Sequence, residues 1–283
     1  MRFGNCIGIT DYEKIKILKD LGFDYAEAPI APAYDAPQAD IDKFASQLEK
    51  YDIKCEAVNF IFKGGIKIAG EEADEKTIRG YLSELFSKTK NLGYEIVVLG
   101  SGGARKISDP FPRERAMEQI VFLCRDILCE FAEKYNFTVA VEELNYSETN
   151  IINLVSEAKE IADAVNHPRC KVLLDFYHIA LNKDDVPSIA CLCENIAHTH
   201  IANPHKRYYP FWTDDINAAG GYGEFFGSLK KAGYNGRMSI EGNGGVLAGS
   251  PLAGLFKQQD FENDCRYSLE FLKYLDITGG LKI

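Results

Sequence analysis

The sequence predicts a single (β/α)8 TIM barrel, in which eight parallel strands form a closed sheet surrounded by helices. Short apolar runs alternate with longer amphipathic ones along all 283 residues, as expected of repeated β-then-α units. A glycine followed by an aromatic residue recurs between a predicted helix and the next strand, at Gly22, Gly93 and Gly233. Glycine suits the left-handed position that ends a helix. No linker interrupts the pattern, so we expect residues 1–283 to form one domain.

The strands are predicted where short runs are apolar or β-branched, which suits segments buried on both faces of a parallel sheet. The run E-I-V-V-L-G at 95–100 and the run T-V-A-V at 138–141 are the strongest examples. The predicted strands are 2–10, 25–29, 54–60, 95–100, 138–141, 171–175, 197–201 and 237–241.

The helices are predicted where apolar residues recur at helical spacing, as Ile15, Leu18 and Leu21 do after the first strand. One such segment follows each strand. The predicted helices are 13–21, 41–51, 74–92, 113–135, 152–165, 186–193, 223–232 and 263–275.

Charge and composition argue against several classes of partner. The formal net charge is -10, which opposes binding to the phosphate backbone of a nucleic acid. The N-terminus lacks the pattern of a signal peptide, and the apolar runs are too short to span a bilayer, so we expect no membrane partner. The eight cysteines are scattered without a C-x-x-C pair, which is typical of reduced, buried thiols in a cytoplasmic protein.

Side chains that can bind metal end four consecutive predicted strands. Glu142 follows strand five, Asp175 ends strand six, His200 lies near the end of strand seven and Glu241 ends strand eight. Active sites of such barrels lie at the C-terminal ends of the strands. One acidic residue at a strand end is common, but four such endings in a row predict a shared metal site.

Three carboxylates and one imidazole form a hard, oxygen-rich site. This set favours Mn²⁺, with Mg²⁺ or Co²⁺ as alternatives and Zn²⁺ not excluded. Four protein ligands leave about two of six octahedral positions open, which a sugar can fill with a carbonyl oxygen and the neighbouring hydroxyl. The metal would then stabilise the enediolate that forms when the carbon next to the carbonyl loses its proton.

Four further residues are candidates for substrate binding. His178, in D-F-Y-H, is expected to turn back over the metal, and Glu148 to hold His178 or a substrate hydroxyl. Lys206 and Arg207 follow His200 and either bind a substrate oxygen or phosphate or remain solvated loop charges. His198 is expected to face away from His200, as a packed or hydrogen-bonded histidine.

These motifs resemble the sugar phosphate isomerase/epimerase superfamily with the xylose isomerase-like TIM barrel, particularly ketose 3-epimerases of the tagatose and psicose type. That family carries E-P-L-N-R-x-E, L-L-D-x-x-H, H-x-H-x-x-x-N-x-R and G-Y-D-G-x-x-x-x-E after or across strands five to eight. The corresponding stretches here are E-E-L-N-Y-S-E-T-N, L-L-D-F-Y-H, H-T-H-I-A-N-P-H-K-R and G-Y-N-G-R-M-S-I-E.

The resemblance implies a metal-dependent epimerase or isomerase of keto sugars that forms a homodimer or homotetramer. It implies that Glu142, Asp175, His200 and Glu241 bind the metal, and that Glu142 and Glu241 are an acid/base pair on opposite faces of the substrate. It also implies that His178 and Glu148 contact substrate oxygens. An acid/base pair of this kind suits epimerisation, because one proton leaves one face of a carbon and another returns to the opposite face.

The chain departs from the family pattern at three positions. Tyr146 and Lys206 replace arginines, although Arg207 could take the second role, and Glu143 replaces a proline. These changes do not affect the predicted metal ligands, but they leave the identity of the substrate sugar undetermined. The G-N-G-G stretch after Glu241 is interpreted as a flexible turn in preference to a phosphate cradle.

Several alternatives use the same barrel. An inosose dehydratase or a keto-C-glycoside lyase would share the site and the proton abstraction. An endonuclease IV-like phosphodiester hydrolase needs histidines from the early strands, but the first histidine is His167. A non-catalytic sugar-binding barrel could lose one of the two flanking glutamates, and both are present.

Overall fold

The computed structural model describes residues 1–204, 207–212, 221–243 and 260–280. Eight parallel strands form a closed barrel in chain order, and β1 pairs with β8 to complete it, which confirms the predicted fold. The strands are β1 (Arg2–Cys6), β2 (Tyr25–Pro29), β3 (Lys54–Asn59), β4 (Ile96–Leu99), β5 (Thr138–Glu142), β6 (Cys170–Asp175), β7 (Ile196–Ile201) and β8 (Arg237–Ile240).

Helices connect the strands on the outside of the barrel. A π-helical segment, Leu123–Leu128, joins two of them, so the predicted helix 113–135 is helical throughout. The α-helices are α1 (Lys14–Leu21), α2 (Gln38–Lys50), α3 (Glu75–Thr89), α4 (Gly102–Arg105), α5 (Arg113–Phe122), α6 (Cys129–Tyr135), α7 (Val155–Val165), α8 (Phe176–Asn182), α9 (Gly221–Lys231) and α10 (Phe261–Thr278). Short 3-10 turns occupy Ala31–Tyr34, Lys90–Leu92, Val186–Cys191 and Cys193–Asn195.

The prediction was wrong in the connection between β6 and β7. The predicted helix at 186–193 is a pair of 3-10 turns, and the α-helix of this connection is α8. Helix α8 begins directly after Asp175, whose Oδ1 accepts a hydrogen bond of 2.8 Å from the backbone N–H of Tyr177. A helix of one to two turns with a cap inside the D-F-Y-H motif has too few residues to show a helical period. The first strand also ends at Cys6, before the predicted residue 10.

The predicted helix-ending glycines adopt the left-handed conformation. Gly22, Gly93 and Gly233 have φ values of 83°, 74° and 74°. The aromatic residues that follow the first two, Phe23 and Tyr94, are buried in the hydrophobic core. The first two repeats therefore mark the point where a helix ends and an aromatic side chain enters the core, while Tyr234 packs against the core and is partly buried.

Alternation along the strands carries the polar side chains into the barrel mouth. A separate apolar cluster contains Ala140 of β5 and Leu173 of β6. Glu142 and Asp175 each follow two residues later and therefore lie on the same face of their strands. Within the described ranges, no helix is long and apolar enough to cross a membrane.

Candidate active site

The four predicted metal ligands meet at the mouth of the barrel. Glu142 and Asp175 are the last residues of β5 and β6, and His200 lies in β7. Glu241 follows β8, where its backbone N–H donates a hydrogen bond of 3.1 Å to the carbonyl of Ile201. One ligand atom from each of the four side chains lies within 4.8 Å of the others.

Three atoms of the four predicted ligands are buried without a hydrogen-bond partner among the described residues: Glu142 Oε1, Asp175 Oδ2 and His200 Nδ1. Buried polar atoms normally have partners, because leaving one unsatisfied is costly. His200 Nδ1 lies 3.3 Å from Glu142 Oε1 and 3.4 Å from Glu241 Oε2, so the orphaned atoms face a common point. This donor set fits one divalent cation.

The three carboxylates differ in their affinity for protons. Burial raises the pKa of Asp175 to about 7, and burial also raises the pKa of Glu142. Burial would raise the pKa of Glu241 as well, but the Arg207 guanidinium and His200 overcome it and lower that pKa to about 2. The pKa values of Glu142 and Glu241 are therefore shifted in opposite directions in the metal-free protein.

Glu27 of β2, which the sequence analysis missed, joins two histidines beneath the site. Its Oε1 lies 2.8 Å from His200 Nε2 and its Oε2 lies 2.7 Å from His198 Nε2, and all three side chains are fully buried. His198 is hydrogen bonded as expected, but the expectation that it faces away from His200 was wrong. Residues two apart in a strand share a face. The signal for Glu27 was a lone carboxylate inside the apolar strand Y-A-E-A-P.

His178 presents one ring nitrogen to the site. Its Nδ1 accepts hydrogen bonds from the backbone N–H of Asn145 at 3.0 Å and from the Asn145 side-chain amide at 2.9 Å. The ring proton is therefore assigned to Nε2, which lies 3.5 Å from Asp175 Oδ2. Burial lowers the pKa of His178 well below its usual value, so the ring is neutral. Nε2 is a hydrogen-bond donor at the mouth of the barrel.

Asn145 connects His178 to Glu148. Its Nδ2 also donates a hydrogen bond of 2.9 Å to Glu148 Oε1, and its Oδ1 accepts one of 3.0 Å from the backbone N–H of Ser147. The predicted link between Glu148 and His178 therefore passes through Asn145. No pattern in the sequence points to this role, because a buried asparagine has many possible uses.

Arg207 lies over the carboxylates. Its Nη2 contacts Glu241 Oε2 and lies 3.7 Å from Asp175 Oδ2, and its Nη1 lies 3.4 Å from Glu148 Oε1. The guanidinium also stacks 4.9 Å from the centre of the Tyr177 ring. Arg207 is thus part of the site and not a solvated loop charge. The other predicted cation, Lys206, lies outside the described residues.

Residues at the ends of β3 and β4 shape the site without offering a ligand. Asn59 Nδ2 donates a hydrogen bond of 2.9 Å to Glu241 Oε1. Gly100 leaves room for Glu142, because a Cβ at position 100 would lie 2.1 Å from Glu142 Oε2. Sequence reasoning missed both, since neither is a typical acid, base or metal ligand.

Two positions where the chain departs from the ketose 3-epimerase motif have different surroundings. Glu143 is fully buried, and its Oε1 accepts a hydrogen bond of 2.9 Å from the backbone N–H of Asp175. Burial raises the pKa of Glu143 well above its usual value. Tyr146, in contrast, is 61% exposed, so it is available to a molecule that approaches the loop after β5.

Comparisons with known proteins agree with this fold. The family model described as xylose isomerase-like TIM barrel matches residues 15–274. The chain is similar to an L-ribulose 3-epimerase of Methylomonas sp. (strain DH-1), with 24% identity over 232 residues, which cover 78% of this chain and 74% of the relative.

Two solved structures share the fold along nearly their whole length. One is D-psicose 3-epimerase with D-tagatose from Clostridium cellulolyticum H10, with a TM-score of 0.79, 19% identity and coverage of 98% of this chain and 99% of the other. The second is 3-keto-D-glucoside 4-epimerase from E. coli in its apo form, with a TM-score of 0.72, 19% identity and coverage of 97% and 99%.

Proposed function

Because the chain belongs to the xylose isomerase-like TIM barrel family, we propose that it is a metal-dependent epimerase or isomerase of keto sugars. The observation that carries the proposal is the convergence of Glu142, Asp175, His200 and Glu241 within 4.8 Å at the barrel mouth. The similarity to sugar epimerases supports an isomerase-type enzyme.

These four residues would hold one divalent ion, for which we propose Mn²⁺, with Mg²⁺ or Co²⁺ as alternatives. When bound, the ion would polarise the substrate carbonyl and stabilise the negative charge that develops on its oxygen. The buried, unpartnered atoms Glu142 Oε1, Asp175 Oδ2 and His200 Nδ1 support this assignment.

Glu142 and Glu241 would move the protons. They approach from β5 and from the end of β8, with β6 and β7 between them in the barrel, so they can address different faces of a substrate. One takes a proton from the carbon beside the carbonyl and the other returns a proton from the opposite face. In the metal-free protein the pKa of Glu241 is lowered and the pKa of Glu142 is raised, and opposite shifts support different roles for the two carboxylates.

The proposed substrate-binding residues are Glu148, His178, Lys206 and Arg207. His178 Nε2–H and the Arg207 guanidinium are donors for sugar oxygens, and the Glu148 carboxylate is an acceptor for a sugar hydroxyl. The Asn145 amide supports this arrangement, because it hydrogen bonds to both His178 and Glu148.

We extend the proposal to the organisation of the protein. One domain for residues 1–283 is supported by the pairing of β1 with β8, which joins the first strand to the last. The proposed partner is a small sugar, without nucleic acid or membrane, and the proposed assembly is a homodimer or homotetramer. A reducing, cytoplasmic location agrees with the free thiols of the seven cysteines that the structure describes.

An inosose dehydratase or a keto-C-glycoside lyase is the second candidate. The likeness to 3-keto-D-glucoside 4-epimerase supports a keto-glycoside as a substrate class on this barrel, and that protein is itself named as an epimerase. All these reactions begin with proton abstraction beside a carbonyl, so the candidates differ in the step that follows.

Incubation of the Mn²⁺-loaded protein in D₂O with ketoses, ketose phosphates, inososes and keto-glycosides tests the proposal. We expect deuterium to enter the carbon next to the carbonyl of at least one keto sugar and an epimer or isomer to accumulate. Loss of water or of an aglycone would favour the second candidate. Absence of exchange with every keto compound would contradict both.

A further inference from the structure

We propose that Glu27 is the positioning residue that presents His200 Nδ1 to the metal. This inference rests on the metal site of the proposed function, but it concerns metal binding alone and not the identity of the sugar. It assigns a role to a buried carboxylate that comes from β2, on the far side of the barrel from the cluster of ligands.

Hydrogen-bond chemistry fixes the orientation of the His200 ring. An ionised carboxylate only accepts hydrogen bonds, so the nitrogen that faces Glu27 must carry the proton. That nitrogen is His200 Nε2, 2.8 Å from Glu27 Oε1. Nδ1, which faces Glu142 and Glu241, is then the nitrogen left for the metal. A metal-binding histidine commonly donates its other N–H to a carboxylate, which fixes the tautomer and the ring.

The second oxygen of Glu27 is also held in place. Its Oε2 lies 2.7 Å from His198 Nε2, which in turn lies 3.4 Å from the hydroxyl of Ser239 in β8. The Ser239 hydroxyl pairs with the Tyr25 hydroxyl at 2.9 Å. Because both carboxylate oxygens have fixed donors, Glu27 cannot rotate without breaking a buried hydrogen bond.

The backbone of β2 gives a third indication that Glu27 is aimed at this position. The register between β2 and β3 shifts between Ala26 and Glu27, where the pairing passes from Ala26–Cys55 to Glu27–Ala57. Such irregularities re-aim the side chain that follows them and are common next to active sites. The shift coincides with the one carboxylate of this strand.

Mn²⁺ titration of the metal-free protein tests the inference, with Glu27→Gln compared with Glu56→Gln. Glu56 is another buried carboxylate of the barrel, but it pairs with Arg2 and Arg237 at the end of the barrel away from the site. The neutral amide that replaces the Glu27 carboxylate cannot accept from both histidines. We expect Mn²⁺ to bind Glu27→Gln about 10- to 100-fold more weakly than the wild type, and Glu56→Gln to bind like the wild type. Equal Mn²⁺ affinities of the two variants would overturn the inference.

Nitrogen-15 NMR of the His200 ring in the Zn²⁺-loaded wild-type protein gives a second readout that does not require the variant to fold. We expect a protonated, hydrogen-bonded Nε2 and a metal-bound Nδ1. Metal bound through Nε2, or a wild-type protein that binds no metal, would also overturn the inference. Metal binding with these signatures but without exchange of any keto sugar would refute the proposed function and leave the role of Glu27 standing.

Discussion

The Glu142 carboxylate occupies space that exists because residue 100 has no side chain. Its Oε2 would lie 2.1 Å from a Cβ at that position, far inside van der Waals contact. Gly100 does not adopt a left-handed backbone that would itself require glycine. The steric conflict would fall on the end of a flexible side chain, so the ligand and not the fold should move.

We predict that Gly100→Ala weakens Mn²⁺ binding about tenfold or more while the protein stays folded, because a ligand is displaced from the site. Gly103→Ala is the matched control, since a Cβ at position 103 meets nothing within 4 Å. Isothermal titration with Mn²⁺ and thermal unfolding of both variants make the comparison. An affinity for Gly100→Ala equal to that of Gly103→Ala would refute the proposed position of Glu142.

The protons on the carboxylates should make metal binding depend on pH. A metal must displace the proton of Asp175, whose pKa burial raises to about 7, and it also competes with protons for Glu142. A raised pKa keeps the proton in place below that pH, so affinity should fall as the pH falls through about 7. The metal must also displace a proton from His200, because Glu27 and Glu241 outweigh burial and raise the pKa of His200 well above its usual value. Mn²⁺ affinity measured between about pH 5.5 and pH 8.5 checks this. A flat profile would contradict the burial of Asp175 in the metal-free site.

At the scale of elements, short segments after the strands fix the directions of the site residues. Asp175 ends β6 and accepts a hydrogen bond from the first turn of α8 with Oδ1, while Oδ2 faces the site. His178 lies one turn into the same helix and reaches back toward Asp175. Helix α8 thus orients a proposed ligand and a proposed substrate donor together.

Arg105, at the end of α4, ties two strand ends to the loop after β5. Its side chain is fully buried, and it donates hydrogen bonds of 3.3 Å to the Leu99 carbonyl, 2.8 Å to the Glu142 carbonyl and 3.2 Å to the Ile152 carbonyl. Burial lowers the pKa of Arg105 to about 10, so the guanidinium remains charged at neutral pH.

We predict that Arg105→Met lowers the free energy of unfolding by about 2 kcal/mol or more, because three buried carbonyls lose their donor and relief of the buried charge offsets only part of that loss. Arg125→Met should change it by less than about 0.5 kcal/mol, since Arg125 pairs with Asp126 at an exposed site. Urea denaturation of both variants measures the difference. Equal stabilities would show that the Arg105 hydrogen bonds do not hold these segments.

At the scale of the whole molecule, the sequence was sufficient for the barrel and for the set of proposed ligands. Strand ends of a parallel barrel meet at one rim, so Glu142, Asp175, His200 and Glu241 could be grouped from their positions along the chain. The same logic fails for contacts across the barrel. Glu27 and His200 are 173 residues apart, and no strand-end pattern links them.

Local details of the site could also not be predicted from the sequence. The seven residues of α8 are too few for a periodic pattern, and the roles of Asn145 and Gly100 depend on distances that only the folded chain defines. Arg207 could be placed near the site but not distinguished from a solvated charge until its contacts with Glu241 and Glu148 were known. Sequence thus predicted the proposed metal ligands, and structure showed which other residues hold them in place.

The central claim is that two glutamates exchange protons with a sugar carbon at this metal site. Its most direct test is hydrogen exchange at the carbon beside the carbonyl, measured in D₂O on Mn²⁺-loaded Glu241→Gln with a substrate that the wild type turns over. The glutamine oxygen can still bind the metal but cannot act as a base. We predict retained Mn²⁺, loss of epimerisation in both directions and, for the epimer whose C–H bond faces Glu241, exchange slower by about 10²- to 10⁴-fold. Undiminished exchange of both epimers in this variant would contradict the two-glutamate account.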